Sequence, residues 1–317
     1  VYEKVMKILD FNHRACCPLN YSFQNCDYSA CEFTDMPDEA DLVLVNGARL
    51  KTLKLPQRRQ GQLWMMYTKE PPHFKRFKYL ARKDFIDQVN WTRCIFRDST
   101  FRGHYGALEK RPPPDKDYEK IYADKIYQAA WFVSHCYSQS RRDEYVKRML
   151  SEIDVHIFGK CGNRTCGSHG LKLKLLGTTD ACLDQISVKY KFYLSFENSM
   201  CSDYVTEKFY KLYENIDVIP VVRGGANYTE LAPAGSYINA GDFHSPEELG
   251  KYLRHLSEDK QEYIRMLKIK DRYINTFPKP PYPCELCKAL HTRRHVPSTY
   301  ENIYKWMTDH CWEPNDL

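Results

Sequence analysis

The sequence predicts an α/β protein built on parallel sheets, because strand-length apolar runs alternate with segments of helical periodicity. In the second half of the chain, residues 128–134 and 154–159 are apolar runs on either side of such a segment. The same strand–helix–strand unit recurs with the runs at 191–196 and 217–222. Nearly continuous apolar strands separated by helices are typical of a doubly wound sheet that is buried on both faces.

Three helices are predicted around these strands. The first covers 141–152, where Tyr145 and Met149 fall at helical spacing. The second covers 203–215, where apolar residues recur at steps of four, three and four. The third begins after Ser245, a residue suited to capping, with a proline at the first helical position and acidic residues in the first turn.

The first half of the chain repeats the alternation with shorter elements. Strand-like runs lie at 41–46, 62–67 and 91–96, and a Lys- and Arg-rich helical segment is predicted over 74–88. The polar segment 109–116 contains three consecutive prolines and interrupts all periodicity. Because consecutive prolines resist both helices and central strands, this segment is predicted to be an interdomain linker.

Composition narrows the class of protein. The 317 residues are 43% hydrophobic and 28% charged, which excludes collagen-like and disordered chains. No run approaches the roughly 18 apolar residues of a membrane helix, and residues 1–10 are not expected to act as a signal peptide because charged and apolar residues alternate there. The net charge of +6 is too small to indicate nucleic acid but is compatible with a polyanionic small ligand.

Cysteines and glycosylation motifs point to the secretory pathway. The chain has 13 cysteines, a number that is rare in cytosolic proteins without a metal cluster or redox role. The odd count leaves at least one thiol unpaired or bonded outside the chain. Four Asn-X-Ser/Thr sequons accompany the cysteines, at Asn20, Asn90, Asn163 and Asn227.

Two segments carry candidate chemistry, since ligands of open α/β sheets bind beyond the carboxyl ends of the strands. The first segment, 134–142, joins a strand to a helix and offers the hydroxyl of Ser134 and the guanidinium groups of Arg141 and Arg142. Such groups suit a phosphate. The alternative interpretation is a solvated helix start.

The second segment, 196–209, places Tyr204, Glu207 and Lys208 at positions i, i+3 and i+4, which predicts one shared face in a first helical turn. A lysine at that end of a helix opposes the helix dipole, and a bound anion would relieve the conflict. The alternative is an exposed Glu–Lys pair on a surface helix.

The second segment also resembles a known family. Phe-Tyr-Leu-Ser-Phe-Glu-Asn-Ser at 192–199, followed by Asp-Tyr-Val-Thr-Glu-Lys-Phe at 203–209, is similar to the signature of the α1,3-fucosyltransferases of glycosyltransferase family 10. Segments at 64–72 and 90–99 resemble the family's Glu-Pro-Pro motif and its Tyr-Arg-x-Asp-Ser strand. The resemblance covers about residues 41–290.

The resemblance implies the GT-B architecture, in which two Rossmann-like domains face each other across a cleft. The domains expected are an acceptor-side domain over 1–119, a GDP-fucose-binding domain over 120–275 and a tail over 276–317 that packs back toward the first domain. The chain would be the luminal catalytic portion of a type II Golgi membrane protein, without its anchor and stem.

Residue roles are also implied by the resemblance. Glu70 matches the family's general base, and Glu207 with Lys208 matches its donor-binding pair. Further positions match nucleotide-contacting residues, namely Tyr193, Asn198 and Tyr204, and Ser134 is a further candidate for donor binding. One arginine of the adjacent pair matches a phosphate-binding arginine: counting back from Gly159 favours Arg142, and a shift of one residue would choose Arg141.

No metal or cofactor is expected, because no Asp-X-Asp follows a strand; a divalent cation is expected at most to stimulate. Cys284 and Cys287 form a C-x-x-C pair, but zinc is disfavoured because no second pair lies at finger spacing. In the family this motif pairs with early cysteines, for which Cys16, Cys17, Cys26 and Cys31 are available. Cys161 and Cys166 are close enough for a local disulfide, as in invertebrate members, and Cys311 is a further candidate.

The function expected is inverting transfer of L-fucose from GDP-β-L-fucose, in α1,3 linkage, to a GlcNAc residue of a glycan. The acceptor expected is the Asn-linked core GlcNAc of N-glycans. The alternatives are Lewis-type fucosylation of an antennary LacNAc or LacdiNAc, and a nucleotide- or glycan-binding protein without catalysis. A glycoprotein glycan is the partner expected, and nucleic acid is not.

Overall fold

The computed structural model describes residues 4–12, 22–51, 53–164, 166, 181–277, 281–296 and 298–317. The chain divides into two compact units. Unit 1 comprises Val1–His104 and Pro278–Cys311, and unit 2 comprises Tyr105–Phe277 and Trp312–Leu317. Each unit is built on its own parallel sheet, so the predicted α/β class is confirmed.

The sheet of unit 1 has six parallel strands in the order β2-β1-β3-β4-β5-β6. The strands are β1 (Met6–Asp10), β2 (Cys31–Phe33), β3 (Leu42–Asn46), β4 (Leu63–Tyr67), β5 (Trp91–Cys94) and β6 (Phe101–Arg102). The strands predicted near 41–46, 62–67 and 91–96 are therefore present. The segment predicted as a helix over 74–88 is instead a 3₁₀ helix at Lys75–Ala81 followed by turns.

Unit 1 is completed by two helices from late in the chain, α7 (Tyr282–Arg293) and α8 (Ile303–Asp309). Leu286 and Leu290 of α7 pack in the same core as Ile8 of β1. Two disulfides, Cys26–Cys284 and Cys31–Cys287, link α7 to the early part of the unit. The predicted pairing of the late C-x-x-C motif with early cysteines is confirmed, whereas Cys16 and Cys17 lie outside the described residues.

The sheet of unit 2 has five parallel strands in the order β12-β11-β10-β8-β9. They are β8 (Tyr127–Phe132), β9 (Val155–Phe158), β10 (Tyr190–Phe196), β11 (Ile219–Arg223) and β12 (Ile238–Asn239). The helices of this unit are α1 (Tyr118–Ala123), α2 (Arg142–Met149), α3 (Ala181–Lys189), α4 (Glu207–Tyr210), α5 (Pro246–Glu258) and α6 (Lys260–Lys270). Ser245 caps α5 as predicted, since its side chain accepts a hydrogen bond from the backbone N–H of Glu248 at 3.2 Å.

The boundary between the units differs from the one predicted at 119/120. Strand β7 (Ala107–Lys110) pairs antiparallel with β13 (Tyr273–Thr276), and both strands belong to unit 2. The Pro-rich segment 109–116 follows within unit 2, where the Lys116 ammonium lies 3.0 Å from the Asp271 carboxylate. The prolines prevent regular structure in this segment. Strand β7 and the ion pair nevertheless make it part of unit 2, so it is not the linker between the units.

The disulfide predicted between Cys161 and Cys166 is wrong. Cys161 bonds to Cys136, and Cys166 bonds to Cys182. Cys136 follows β8 and Cys161 follows β9, and these strands are paired in the sheet, so their carboxyl ends bring the two cysteines together. Cys311 is also disulfide-bonded, and Cys94 is a free, buried thiol.

Glycosylation motifs differ in exposure. Asn163 and Asn227 are exposed, whereas Asn90 is buried. The side-chain nitrogen of Asn90 donates a hydrogen bond to the carbonyl of Ser298 at 2.9 Å. The folded unit therefore cannot carry a glycan on Asn90, and Asn20 lies outside the described residues. No helix among the described residues has the length and apolar character that crossing a membrane requires.

Candidate functional site

The strand order of unit 2 locates its ligand site. The order of the strands in the sheet reverses between β8 and β10. Strand β9 is added on one side of β8, whereas β10, β11 and β12 are added in turn on the other side. In doubly wound sheets the ligand crevice lies at such a switch point, beyond the carboxyl ends of the two strands. The loops that leave β8 and β10 here are 133–141 and 197–206, which form most of the two segments singled out in the sequence.

Arg142, the first residue of α2, is buried beneath these loops. Its Nη1 donates to the carbonyl of Phe196 at 2.6 Å and its Nη2 to the carbonyl of His135 at 3.2 Å. Its Nε is buried and has no hydrogen-bond partner, and no carboxylate of the described residues forms an ion pair with the guanidinium. Arg142 is therefore a buried cation whose charge has no direct anionic partner among those residues.

Arg141 differs from its neighbour. It caps α2 with a left-handed backbone (φ 50°), and its exposed side chain pairs with Glu144, the Nε lying 3.0 Å from Oε1. The structure thus supports Arg142 as the inward-directed arginine of the pair. Ser134 is exposed at the start of the same loop.

Glu197, which is buried, and Lys208, which is half-buried, form an ion pair across the second loop. Oε2 of Glu197 lies 3.2 Å from Nζ of Lys208, and Oε1 accepts hydrogen bonds from the backbone N–H and the hydroxyl of Thr206 at 2.8 and 2.9 Å. The Thr206 hydroxyl in turn receives a 2.7 Å hydrogen bond from Lys208. This network fixes the lysine ammonium at the amino end of α4.

The charges of this network are set by competing effects. Burial raises the pKa of Glu197, and the Lys208 ammonium opposes that rise. For Lys208, burial acts to lower the pKa, but the carboxylates of Glu197 and Glu207 outweigh it and hold the pKa above its usual value. Burial likewise acts to raise the pKa of Glu207, and the Lys208 ammonium holds it below its usual value. The lysine is therefore a firmly held cation.

The predicted helix over 203–215 is shorter in the structure, where α4 begins at Glu207 and ends at Tyr210 before a 3₁₀ turn. Asp203 has a left-handed backbone (φ 59°) and Thr206 caps the helix, so residues 203–206 form a turn. Tyr204 consequently precedes the helix and is buried. The prediction that Tyr204 shares one face of a first helical turn with Glu207 and Lys208 is therefore wrong.

Two other predicted residues line the same region. Asn198 follows Glu197, and its side-chain oxygen is buried without a hydrogen-bond donor among the described residues. Tyr193 is buried in β10, and its hydroxyl accepts a 3.1 Å hydrogen bond from the Lys211 ammonium. An unsatisfied acceptor on Asn198 and an unsatisfied donor on Arg142 are the groups that a polar ligand would complete.

Glu197 and Arg223 were not predicted as site residues. Both are charged residues at the carboxyl end of an apolar strand, where a solvated loop position is the ordinary expectation. In the structure both are buried, and the N–H of Glu197 donates to the carbonyl of Arg223 at 2.9 Å. A charged residue at the end of a buried strand, or directly after it, is the signal that would have identified them, because ligands of open α/β sheets bind at that edge.

The predicted base, Glu70, belongs to unit 1. It lies in the turn after β4, half-buried, and its backbone N–H donates to the Thr68 hydroxyl at 3.0 Å. Pro71 and Pro72, which follow it, are buried and restrict its backbone. The neighbouring Lys69 ammonium is held by the carbonyl of His104 at 2.6 Å.

The zinc alternative for the C-x-x-C motif fails in the structure. The sulfur atoms of Cys31 and Cys287 and a ring nitrogen of His291 lie within 4.8 Å of one another. Both sulfurs, however, form the Cys31–Cys287 disulfide, and Cys284 is bonded to Cys26. Metal binding by cysteine requires the thiolate, so this cluster cannot hold zinc while the disulfides are intact.

Comparison with known proteins agrees with this geometry. Residues 122–306, more than half of the chain, match glycosyltransferase family 10 (fucosyltransferase), C-terminal part. The chain belongs to this family. The match begins before β8 and includes both loops of the switch point in unit 2.

Among curated family relatives, the chain is 32% identical over 297 residues to glycoprotein 3-alpha-L-fucosyltransferase A of Drosophila melanogaster, covering 89% of this chain and 55% of the relative. It is 31% identical over 295 residues to alpha-(1,3)-fucosyltransferase C of the same organism, covering 86% and 66%. The chain thus spans between about half and two thirds of the length of these relatives.

Comparison with a solved structure confirms the fold. The crystal structure of an alpha1,3-fucosyltransferase with GDP-fucose superposes with a TM-score of 0.59 at 17% identity, over 94% of each chain. Together with the two parallel-sheet units, this similarity confirms the GT-B fold predicted from the sequence.

Proposed function

We propose that this chain transfers L-fucose from GDP-β-L-fucose, with inversion, to the 3-hydroxyl of a GlcNAc residue in a glycan. Unit 2 binds the donor at the switch point between β8 and β10. The observation that carries the proposal is Arg142, a buried guanidinium with an unsatisfied Nε and no carboxylate partner among the described residues. A diphosphate supplies the acceptor atoms and the negative charge that this group lacks.

The donor site suits the departure of GDP. Cleavage of the bond from the sugar to the phosphate leaves negative charge on the β-phosphate oxygen. Lys208 and Arg142 are preorganised cations that stabilise such charge, since their hydrogen bonds to protein groups already fix their positions. We propose that no metal ion is required for this step, a divalent cation at most stimulating it, and that Glu207 contacts the fucose because its carboxylate would repel the phosphates.

Glu70 is the proposed general base. Inversion proceeds by a single displacement in which the acceptor oxygen forms a bond to the anomeric carbon as GDP leaves. The acceptor hydroxyl must lose its proton during this attack, and a carboxylate can accept it. The two buried prolines after Glu70 limit the conformations of the turn that carries it.

For the acceptor, we propose the Asn-linked core GlcNAc of glycoprotein N-glycans. The name of the Drosophila relative, glycoprotein 3-alpha-L-fucosyltransferase A, supports a glycoprotein acceptor. The Golgi lumen is the proposed location, because Cys26–Cys284, Cys31–Cys287, Cys136–Cys161 and Cys166–Cys182 require an oxidising compartment.

The test combines product analysis with one substitution. The purified chain is incubated with GDP-fucose and a mixed N-glycan panel, and mass spectrometry locates the added fucose. The variant Glu70→Gln should lose transfer by roughly 10²- to 10⁴-fold while GDP affinity stays within about twofold, because a general base acts on the acceptor. Glu301→Gln, at an exposed position of the same unit, is the control and should retain activity.

Each outcome assigns the function. Fucose on the core GlcNAc supports the acceptor proposed, and fucose on an antennary GlcNAc replaces it with Lewis-type transfer. Tight GDP binding without transfer to any glycan would instead identify a binding protein. Loss of GDP affinity in Glu70→Gln would remove Glu70 from the role of base.

A further inference from the structure

The last six residues of the sequence, 312–317, belong to unit 2 and contact the loops of the switch point. The backbone N–H of Trp312 donates to the carbonyl of Met200 at 3.0 Å. The carbonyl of Trp312 accepts a hydrogen bond from the Gln139 side chain at 2.6 Å, and the same side chain accepts one from the N–H of Met200 at 2.9 Å. Trp312 therefore links the loop after β8 to the loop after β10.

The strongest contact of this segment is an ion pair. Asp316 binds Arg223 in a bidentate manner, with Oδ2 2.7 Å from Nε and Oδ1 2.6 Å from Nη2. Arg223 is buried, and its guanidinium also lies 4.5 Å from the ring centre of Tyr145. A buried guanidinium without its carboxylate would carry an uncompensated charge, so Asp316 is required for this arrangement.

Arg223 also contacts the loop after β8, residues 133–141, through Ser140. Its Nη1 donates to the carbonyl of Ser140 at 2.7 Å. Ser140 donates through its hydroxyl to the carbonyl of Glu197 at 2.6 Å and through its N–H to the carbonyl of Asn198 at 3.2 Å. The chain of contacts from Asp316 thus ends on the residues that flank Arg142 and the Glu197–Lys208 pair.

The first and last residues of segment 312–317, Trp312 and Leu317, both pack against unit 2. A Cβ atom on Gly225 would lie 2.6 Å from Cη2 of Trp312, so the glycine allows the indole to approach the loop after β11. Leu317 packs against the hydrophobic core of unit 2. Packing at these two positions flanks the Asp316 ion pair.

We propose that segment 312–317 is a positioning element of the donor site, with Asp316 and Arg223 as its positioning residues. Asp316 keeps the Arg223 guanidinium on the Ser140 carbonyl, and this contact sets the geometry of the loop that leads to Arg142. The proposal rests on the proposed function, since it assigns GDP-fucose to this site. Neither residue touches the donor in this proposal.

The test measures donor binding in three variants. Asp316→Asn removes the charge and keeps the shape, Asp316→Glu keeps the charge, and Glu247→Gln is the matched control. Glu247 makes a bidentate pair with Arg148 on the same unit, with two contacts of 2.7 Å, and neither residue belongs to the switch-point loops or to segment 312–317. The measurements are the GDP dissociation constant by calorimetry, KM for each substrate, and hydrogen–deuterium exchange of the amides at 138–142.

Asp316→Asn should weaken GDP binding and raise the donor KM about tenfold or more, because a displaced loop misplaces its binding groups. The acceptor KM should not change, and the amides at 138–142 should exchange faster. Asp316→Glu should recover part of the affinity, and Glu247→Gln should match the wild type. Gln139→Ala leaves the ion pair intact and should weaken GDP binding about threefold, because the Trp312 carbonyl and the Met200 N–H both lose their contact with the Gln139 side chain.

The proposal is overturned if Asp316→Asn lowers the melting temperature but leaves the donor KM and the exchange at 138–142 equal to those of Glu247→Gln. If Asp316→Asn does not fold, unchanged GDP affinity in Gln139→Ala overturns it. A wild-type chain that does not bind GDP contradicts the proposed function instead, and the exchange comparison still decides whether Asp316 orders the loop.

Discussion

The ammonium of Lys208 lies 3.2 Å from the carboxylate of Glu197, a side chain with no exposed surface. A buried lysine ordinarily loses its proton more easily, because burial disfavours the charged form. Here the Glu197 carboxylate, with that of Glu207, reverses the effect and raises the lysine pKa. The pair therefore keeps the Lys208 ammonium protonated where the donor phosphates are proposed to bind.

Glu197→Gln should make GDP binding sensitive to alkaline pH. The amide retains hydrogen bonding to Thr206, but only Glu207 then opposes the burial of Lys208, so the lysine pKa falls. In the wild type the raised pKa keeps Lys208 protonated, and its contribution to stability is lost only as pH rises through that raised value. GDP affinity, measured by calorimetry from pH 6 to 10, should fall at a lower pH in the variant. Identical profiles would contradict the assignment of Glu197.

Arg142→Lys should weaken GDP binding by roughly tenfold, because lysine replaces a guanidinium that donates to two carbonyls and leaves Nε for the ligand. The matched control is Arg141→Lys, since Arg141 is exposed and paired with Glu144. Its GDP affinity should equal that of the wild type. A larger loss in Arg141→Lys than in Arg142→Lys would reverse the choice between the two arginines.

Lys125→Met should change how stability depends on pH. Lys125 is buried with its ammonium on the carbonyl of Ser187 at 2.6 Å, and burial lowers its pKa to about 7. Between about pH 7 and 10.5 the unfolded chain holds a proton that the folded chain has lost, so wild-type stability gains up to about 1.4 kcal/mol per pH unit from this group. The variant lacks this gain.

The stabilising effect of Lys125→Met should therefore be largest at neutral pH and shrink toward pH 10. Thermal unfolding of both proteins across this range measures the effect, and Lys147→Met, at an exposed position of α2, provides the control. Parallel curves for wild type and Lys125→Met would show that Lys125 does not titrate in this window.

Cys94 should resist thiol reagents in the native protein. Its side chain is buried, and burial raises the pKa of the thiol far above neutrality, so almost no reactive thiolate forms. N-ethylmaleimide should modify the peptide containing Cys94 only when denaturant is present, as measured by mass spectrometry without reduction. Modification of Cys94 in the native protein would show that unit 1 opens around β5.

The strands were predictable from the sequence because a buried parallel strand is apolar almost throughout. The runs at 128–134 and 191–196 correspond to β8 and β10 within a few residues. The length of the helix predicted over 203–215 was overestimated. Its apolar residues keep helical spacing across the turn that begins at Asp203 and the 3₁₀ segment after Tyr210, although neither is part of the α-helix. Periodicity records which residues are buried and does not record where a helix is capped.

The site was only partly predictable. Glu207 and Lys208 were identifiable by motif, but the burial of Glu197 and Arg223 depends on contacts with residues distant in the sequence, such as Asp316. The cysteine pairing failed for a related reason. Cys161 is near Cys166 in sequence, but strand pairing places it beside Cys136. Sequence distance does not report which strand ends are neighbours in a sheet.

The disulfides of α7 have a consequence for the order of biosynthesis. Cys26 and Cys31 must wait for partners that lie 258 and 256 residues later, so synthesis of most of the chain precedes closure of unit 1. The sheet of unit 2 is formed entirely from segments between 105 and 277 and can assemble before α7 emerges. Strands β1 and β2 therefore leave the ribosome well before the disulfides of α7 can form, and during that interval Cys26 and Cys31 are exposed to mispairing that an oxidoreductase would have to correct.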